Sequence, residues 1–178
     1  MLIMKKDALE KYVEAVCKQA QYVFQNEEQF RYALVEMLKH GCNTPHKLQA
    51  YDNVYVEVPF ENPGVTSKGK YVYVDIVVEV EENKYTLIEL KYGTKGKVKN
   101  DLKGVNKLEN IPNNVISKRI EGYKKDKIKL KDLLDANNRV NEPKRFNGFA
   151  ILLVNDDMVK SNEVEIHKTT FYFVVEKI

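Results

Sequence analysis

Tyr71-Val72-Tyr73-Val74-Asp75-Ile76-Val77-Val78-Glu79-Val80-Glu81, followed after three residues by Tyr85-Thr86-Leu87-Ile88-Glu89-Leu90-Lys91-Tyr92, is the stretch that decides the fold. Both runs are rich in β-branched and aromatic residues, and only Glu82-Asn83-Lys84 separates them, so they predict neighbouring strands of one hairpin. In the first run Val72, Val74, Ile76, Val78 and Val80 should face the core, leaving Tyr73, Asp75, Val77 and Glu79 on the other face. In the second, Glu89 and Lys91 are two apart and share a face, while Leu90 points into the core.

Whether Asp75 joins Glu89 and Lys91 depends on the register, because a slip of one residue turns a whole strand over. A three-residue loop Glu82-Asn83-Lys84 would pair Glu81 with Tyr85, Val77 with Glu89 and Asp75 with Lys91. Asp75 and Glu89 would then be diagonal neighbours about 7–8 Å apart. A two-residue loop would put Asp75 on the wrong face.

Upstream of the hairpin, Leu9, Tyr12, Val13, Val16, Ala20, Val23 and Phe24 recur at helical spacing and predict an amphipathic helix over residues 5–25. Asn26-Glu27-Glu28-Gln29 has the form of a capping box that starts a second helix, with Phe30, Ala33, Leu34, Met37 and Leu38 as its buried stripe and Gly41 at its end. At 100° per residue Glu27 falls about 20° from Leu34 and Leu38, at the edge of that stripe, so it can reach a sheet packed below. An acid in a first turn is also expected from the helix dipole alone. Val54, Val56 and Val58 predict a strand that stops at Pro59.

Downstream, residues 98–109 predict a helix weakened by Gly104 and ended before Pro112. The Lys-rich stretch 113–145 predicts one more helix, held by Ile116 and Ile120 or by Leu130, Leu133 and Leu134. Residues 149–154 read as a central strand and 169–175 as a last one.

At 178 residues, 43% hydrophobic and 31% charged, the chain fits one domain, 1–178, with a sizeable core. No apolar run approaches the roughly 18 residues that span a bilayer, and the N-terminus lacks a signal-peptide pattern, so a cytoplasmic protein without membrane contact is expected. Cys17 and Cys42 are too few for a disulfide scaffold. His40, Cys42 and His46 offer three irregularly spaced ligands where a structural zinc site takes four. The net charge of +3 hides an asymmetry: residues 91–131 carry thirteen Lys or Arg against four Asp or Glu, so the remainder is net −6. Such a basic block suits a polyanionic partner, although each lysine alone also suits a solvated face.

Two carboxylates and an ammonium on one sheet face suit a hard divalent cation and a phosphate. The plain alternative is a hairpin with a polar outer face. Against it, Glu89 lies among Leu87, Ile88 and Leu90, and Asp75 interrupts an apolar run, positions where a bare carboxylate is costly.

With these residues in this order, the chain resembles the PD-(D/E)XK nuclease superfamily, the restriction-endonuclease-like fold. That core runs helix, three strands, helix, strand, with an acid on the first helix, Asp on the second strand and (Asp/Glu)-x-Lys on the third. Here the order is Glu27, then Asp75 in Tyr73-Val74-Asp75-Ile76, then Glu89-Leu90-Lys91, a basic helix and the strand at 149–154. The resemblance covers about residues 26–155; Val74 stands where the motif's name has Pro, a position that varies in the superfamily, and Glu28 sits beside Glu27.

The resemblance implies an α/β fold with a mixed central sheet flanked by helices. Its α-β-β-β-α-β core would carry an extra N-terminal helix, a C-terminal strand and a helical insertion at about 113–145. It implies a DNA endonuclease dependent on Mg²⁺ or Mn²⁺. Asp75 and Glu89 would bind the metal, Glu27 would assist, and Lys91 would orient or activate water and stabilise developing charge. Lys95, Lys97, Lys99 and Lys103, next along the chain, would contact phosphates without reading bases. A homodimer or a partner subunit is a further implication. Two competing readings are a nuclease fold that only binds nucleic acid or a partner, and an unrelated α/β domain whose acids lie on the surface.

Overall fold

A computed structural model describes residues 4–43, 47–64, 69–100, 106–110, 115–139, 145–157, 159 and 162–178. Three helices, α1 (Lys6–Gln19), α2 (Glu27–His40) and α3 (Val115–Asn137), flank a mixed sheet. Its six strands are β1 (Asn53–Glu61), β2 (Tyr71–Glu81), β3 (Lys84–Gly93), β6 (Arg145–Val154), β7 (Asn162–Ile166) and β8 (Thr169–Lys177), in the order β1-β2-β3-β6-β8-β7. Only β3 and β6 run parallel; the other neighbours are antiparallel. A separate hairpin, β4 (Gly96–Asn100) with β5 (Asn106–Asn110), leads into α3, which makes the crossover a parallel pair requires.

The sheet has a core on each face. On one, α1 and α2 bury Leu9, Tyr12, Phe30, Leu34 and Leu38 against Ile76, Ile88, Leu90, Ile151 and Phe171. On the other, Ile116, Tyr123, Leu130 and Leu133 of α3 pack on Leu87, Ala150 and Leu152. Strands β3 and β6 are thus covered on both sides, which explains why 149–154 is a continuous apolar run.

Several expectations change. The first helix stops at Gln19; Val23 and Phe24 are buried from a non-helical connection instead. Asn26 must be extended (φ −154°, ψ 176°) for its side chain to accept from Gln29 N–H, so helix cannot run through to 25. Gln29 reaches back to the Gln25 N–H at 2.7 Å, one residue short of a strict capping box. Gly41 does end α2, at φ +66°, where a Cβ would strike the Leu48 carbonyl. Strand β1 continues through Pro59, which pairs with Tyr73; β1 is a sheet edge, where a missing N–H costs nothing.

The helix expected at 98–109 is the β4–β5 hairpin, since Lys97-Val98-Lys99 alternates with period two. Within 113–145, α3 draws on both sets of apolar residues, burying Ile116, Leu130 and Leu133, and forms the crossover. Strand β7 was not legible from its five residues, Asn162-Glu163-Val164-Glu165-Ile166.

The hairpin turn holds two residues, Glu82 and Asn83, closed by Glu81 opposite Lys84. By itself that would turn Asp75 away, but a bulge between Glu79 and Glu81 adds one residue and restores parity. Glu79 pairs with Tyr85 and Ile76 with Ile88, so continued register would set Asp75 opposite Glu89 rather than Lys91.

Pairing ends at Ile76 with Ile88. There β2 leaves β3, and β1 follows. The Glu57–Asp75 position is skipped in the β1–β2 ladder, and Glu57 takes φ +50°. Beyond it the faces exchange: Val72, Val74, Val58 and Phe60 join the α3-side core, although Ile76, Val78 and Val54 belong to the other. The β1–β2 ribbon thus bends across the α3 face, where Phe60 meets Phe146 edge-on at 6.0 Å between ring centroids.

Because Asn26 fixes the first turn of α2, Asn26→Ala should lower stability by about 1 kcal/mol in urea unfolding, and Asn26→Ser should restore most of it. Equal stability of all three proteins would show that the cap does not hold this turn.

Candidate functional site

Where β2 peels away, the N–H groups of Leu90 and Tyr92 on β3 lose their strand partner, and buried N–H groups require one. Two carboxylates take its place. Asp75 Oδ2 accepts from Leu90 N at 2.8 Å, and Glu27 Oε2, from the first turn of α2, accepts from Tyr92 N at 3.1 Å. Glu27 therefore does reach the sheet. In a strand the N–H and C=O of one residue point the same way, so the Leu90 carbonyl faces the same gap as Asp75.

On the α3 side, Glu89 is 2% exposed and Lys129 Nζ lies 2.8 Å from its Oε1, an ion-pair contact off hydrogen-bonding alignment. Lys129 also donates to the Tyr73 carbonyl at 2.9 Å and lies 3.8 Å from Asp126 Oδ1. Lys91 Nζ stands between Glu27 Oε1 (3.2 Å), Asp126 Oδ2 (2.9 Å) and the Leu90 carbonyl (3.1 Å). Gly122 makes room for it: a Cβ there would lie 3.2 Å from Lys91 Cε. Arg31 of α2 closes the other side, 3.4 Å from Asp75 Oδ1 and 3.0 Å from Glu57 Oε1.

All four residues singled out in the sequence, Glu27, Asp75, Glu89 and Lys91, thus gather at one strand edge. Neither acid of the hairpin is a fully exposed surface residue: Asp75 keeps 19% of its side chain exposed and Glu89 2%. The flanking lysines fare differently. Lys95 is exposed but pairs with Asp156 at 3.2 Å. Lys97 and Lys99 lie on β4, described as backbone only, and Lys103 is outside the described residues. His40 pairs with Glu36, Cys42 bridges to Leu48, and His46 is outside the described residues.

Arg31, Asp126, Lys129 and Gly122 were missed. Their signal was available only with α3 in hand: Gly122, Asp126 and Lys129 follow one another at four and three residues, on the helix face that also carries Tyr123, Leu130 and Leu133.

Four carboxylates that are at least half-buried (Glu27, Asp75, Glu89, Asp126) face three cations (Arg31, Lys91, Lys129). The more exposed Arg119 adds a fourth cation, 3.8 Å from Glu27 Oε2. Burial, with Asp75 beside it, pushes the Glu89 carboxyl up to about 8, against the pull of Lys129. Burial opposes the charge on Lys91, but Asp126 and Glu27 outweigh it and hold the ammonium above its ordinary range. Lys91 stays charged.

Asp75 and Glu89, with the Leu90 carbonyl on the same edge, are oxygen donors of the kind a hard divalent cation takes. Among the described residues no three His, Cys, Asp or Glu side chains are grouped around one metal position. Glu27 is committed to Tyr92 N–H and Lys91, and bears on the site by holding that lysine.

Glu89 keeps a proton that the unfolded chain loses near pH 4.5, so its contribution to stability falls as pH rises from about 4.5 to about 8. Glu89→Gln, which mimics the protonated acid, should match the wild type at pH 5 and exceed it by more than about 1 kcal/mol at pH 8.5 in metal-free buffer. Parallel pH profiles for the two proteins would contradict this.

No helix among the described residues is long and apolar enough to cross a membrane. Comparison with family models, with curated proteins and with solved structures yields no match to this chain.

Proposed function

We propose that the protein is a metal-dependent nuclease that hydrolyses DNA phosphodiester bonds at the opened edge of β3, within the restriction-endonuclease-like fold its element order resembles. The observation that carries this reading is the meeting of Asp75, Glu89 and the Leu90 carbonyl with a lysine held firmly charged. A divalent cation there would polarise the phosphate and acidify a bound water.

Asp75 and Glu89 would supply the oxygens that hold the cation, and Glu89 would give up its proton to bind it. Lys91 stays protonated, so its part is that of a cation: it sits beside the Leu90 carbonyl and stabilises charge growing on the phosphate. Glu27 and Asp126 hold the ammonium in place, and Gly122 leaves it space. The exposed Lys118 and Arg119 on α3, the latter 3.8 Å from Glu27, offer phosphate contacts beside the site.

One observation favours a second reading. Lys129 already neutralises Glu89 in the way a metal would, as expected of a nuclease-fold protein that binds DNA or a partner without cutting.

Incubation with plasmid, single-stranded and branched DNA decides between them. Cleavage should require Mg²⁺ or Mn²⁺. Lys91→Ala should lower its rate by about 100-fold or more, and Glu89→Ala should abolish it while DNA binding persists. Binding without cleavage under every condition would leave the second reading.

A further inference from the structure

Lys129 Nζ lies among oxygens of three elements: Glu89 on β3 at 2.8 Å, the Tyr73 carbonyl on β2 at 2.9 Å and Asp126 on α3 at 3.8 Å. A carboxylate, a carbonyl and a second carboxylate form a hard oxygen set of the kind Mg²⁺ and Mn²⁺ take. We propose that Lys129 Nζ marks a cation position bounded by Glu89, Asp126 and the Tyr73 carbonyl, and that a divalent cation enters the site by displacing this ammonium. The proposal rests on the metal-dependent reading above and names the residue that opposes loading.

Two features support displacement. Lys129 is the ammonium set against Glu89, the acid assigned to the cation. It keeps 21% of its side chain exposed, so its long stem can carry the charge out to water, whereas Glu89 at 2% cannot follow. Lys91 differs: its contacts are with Glu27, Asp126 and the Leu90 carbonyl rather than with Glu89.

Calorimetric titration of the full chain with MnCl₂ tests this without reference to cleavage. Lys129→Met should bind Mn²⁺ about tenfold tighter than the wild type. Lys91→Met removes the same charge from the neighbouring position and should change the affinity less than about threefold. If Lys129→Met fails to fold, Lys129→Gln, which keeps a donor for the Tyr73 carbonyl, should shift the affinity in the same direction. Equal affinity of Lys129→Met and wild type, or an equal gain in Lys91→Met, would overturn the displacement and leave the metal-dependent reading standing. No Mn²⁺ binding by any of the proteins would overturn both.

Discussion

Everything distinctive about this molecule follows from the parting of β2 and β3 after Ile76 and Ile88. A strand edge opened inside a covered sheet exposes N–H groups that must be satisfied. The chain satisfies those of Leu90 and Tyr92 with carboxylates rather than with another strand or water. Carboxylates so placed need positive charge nearby, and that need draws in Arg31, Lys91 and Lys129 from α2, β3 and α3. The site is thus a consequence of how the sheet ends its pairing, and the two faces of the fold are tied together through it.

The resulting ion network alternates in sign from Glu27 through Lys91, Asp126 and Lys129 to Glu89, before Asp75 places a second acid beside the first. Buried ion networks give little net stability and act mainly by fixing one arrangement over others. Here each acid faces a cation, and Glu89, the most buried of them, lies against Lys129.

Much of this was legible in the sequence. Period-two alternation located β2 and β3, the Asn26 cap located α2 and predicted the reach of Glu27, and the shared face of Glu89 and Lys91 followed from strand geometry. The position of Asp75 was harder, because two irregularities offset each other. The two-residue turn reversed the parity and the bulge at Glu79–Glu81 reversed it again, and the alternation of Val78, Glu79, Val80 and Glu81 carries no mark of that bulge. Asp126 and Lys129 were hidden for a different reason: in a helix with so many lysines, only the packing of Tyr123 and Leu130 shows which charges face inward. The helix expected at 98–109 arose from treating sparse apolar residues as a helical stripe when their neighbours alternate.

Pro59 has a bearing on how copies of this chain can meet. It sits in β1, one rim of the sheet, two residues from the left-handed Glu57, so that rim lacks one donor and is bent at another position. The opposite rim, β7, is only five residues long. Neither border can template a long added strand. Among the described residues, then, neither rim of the six-stranded sheet offers a long regular edge that another chain could extend.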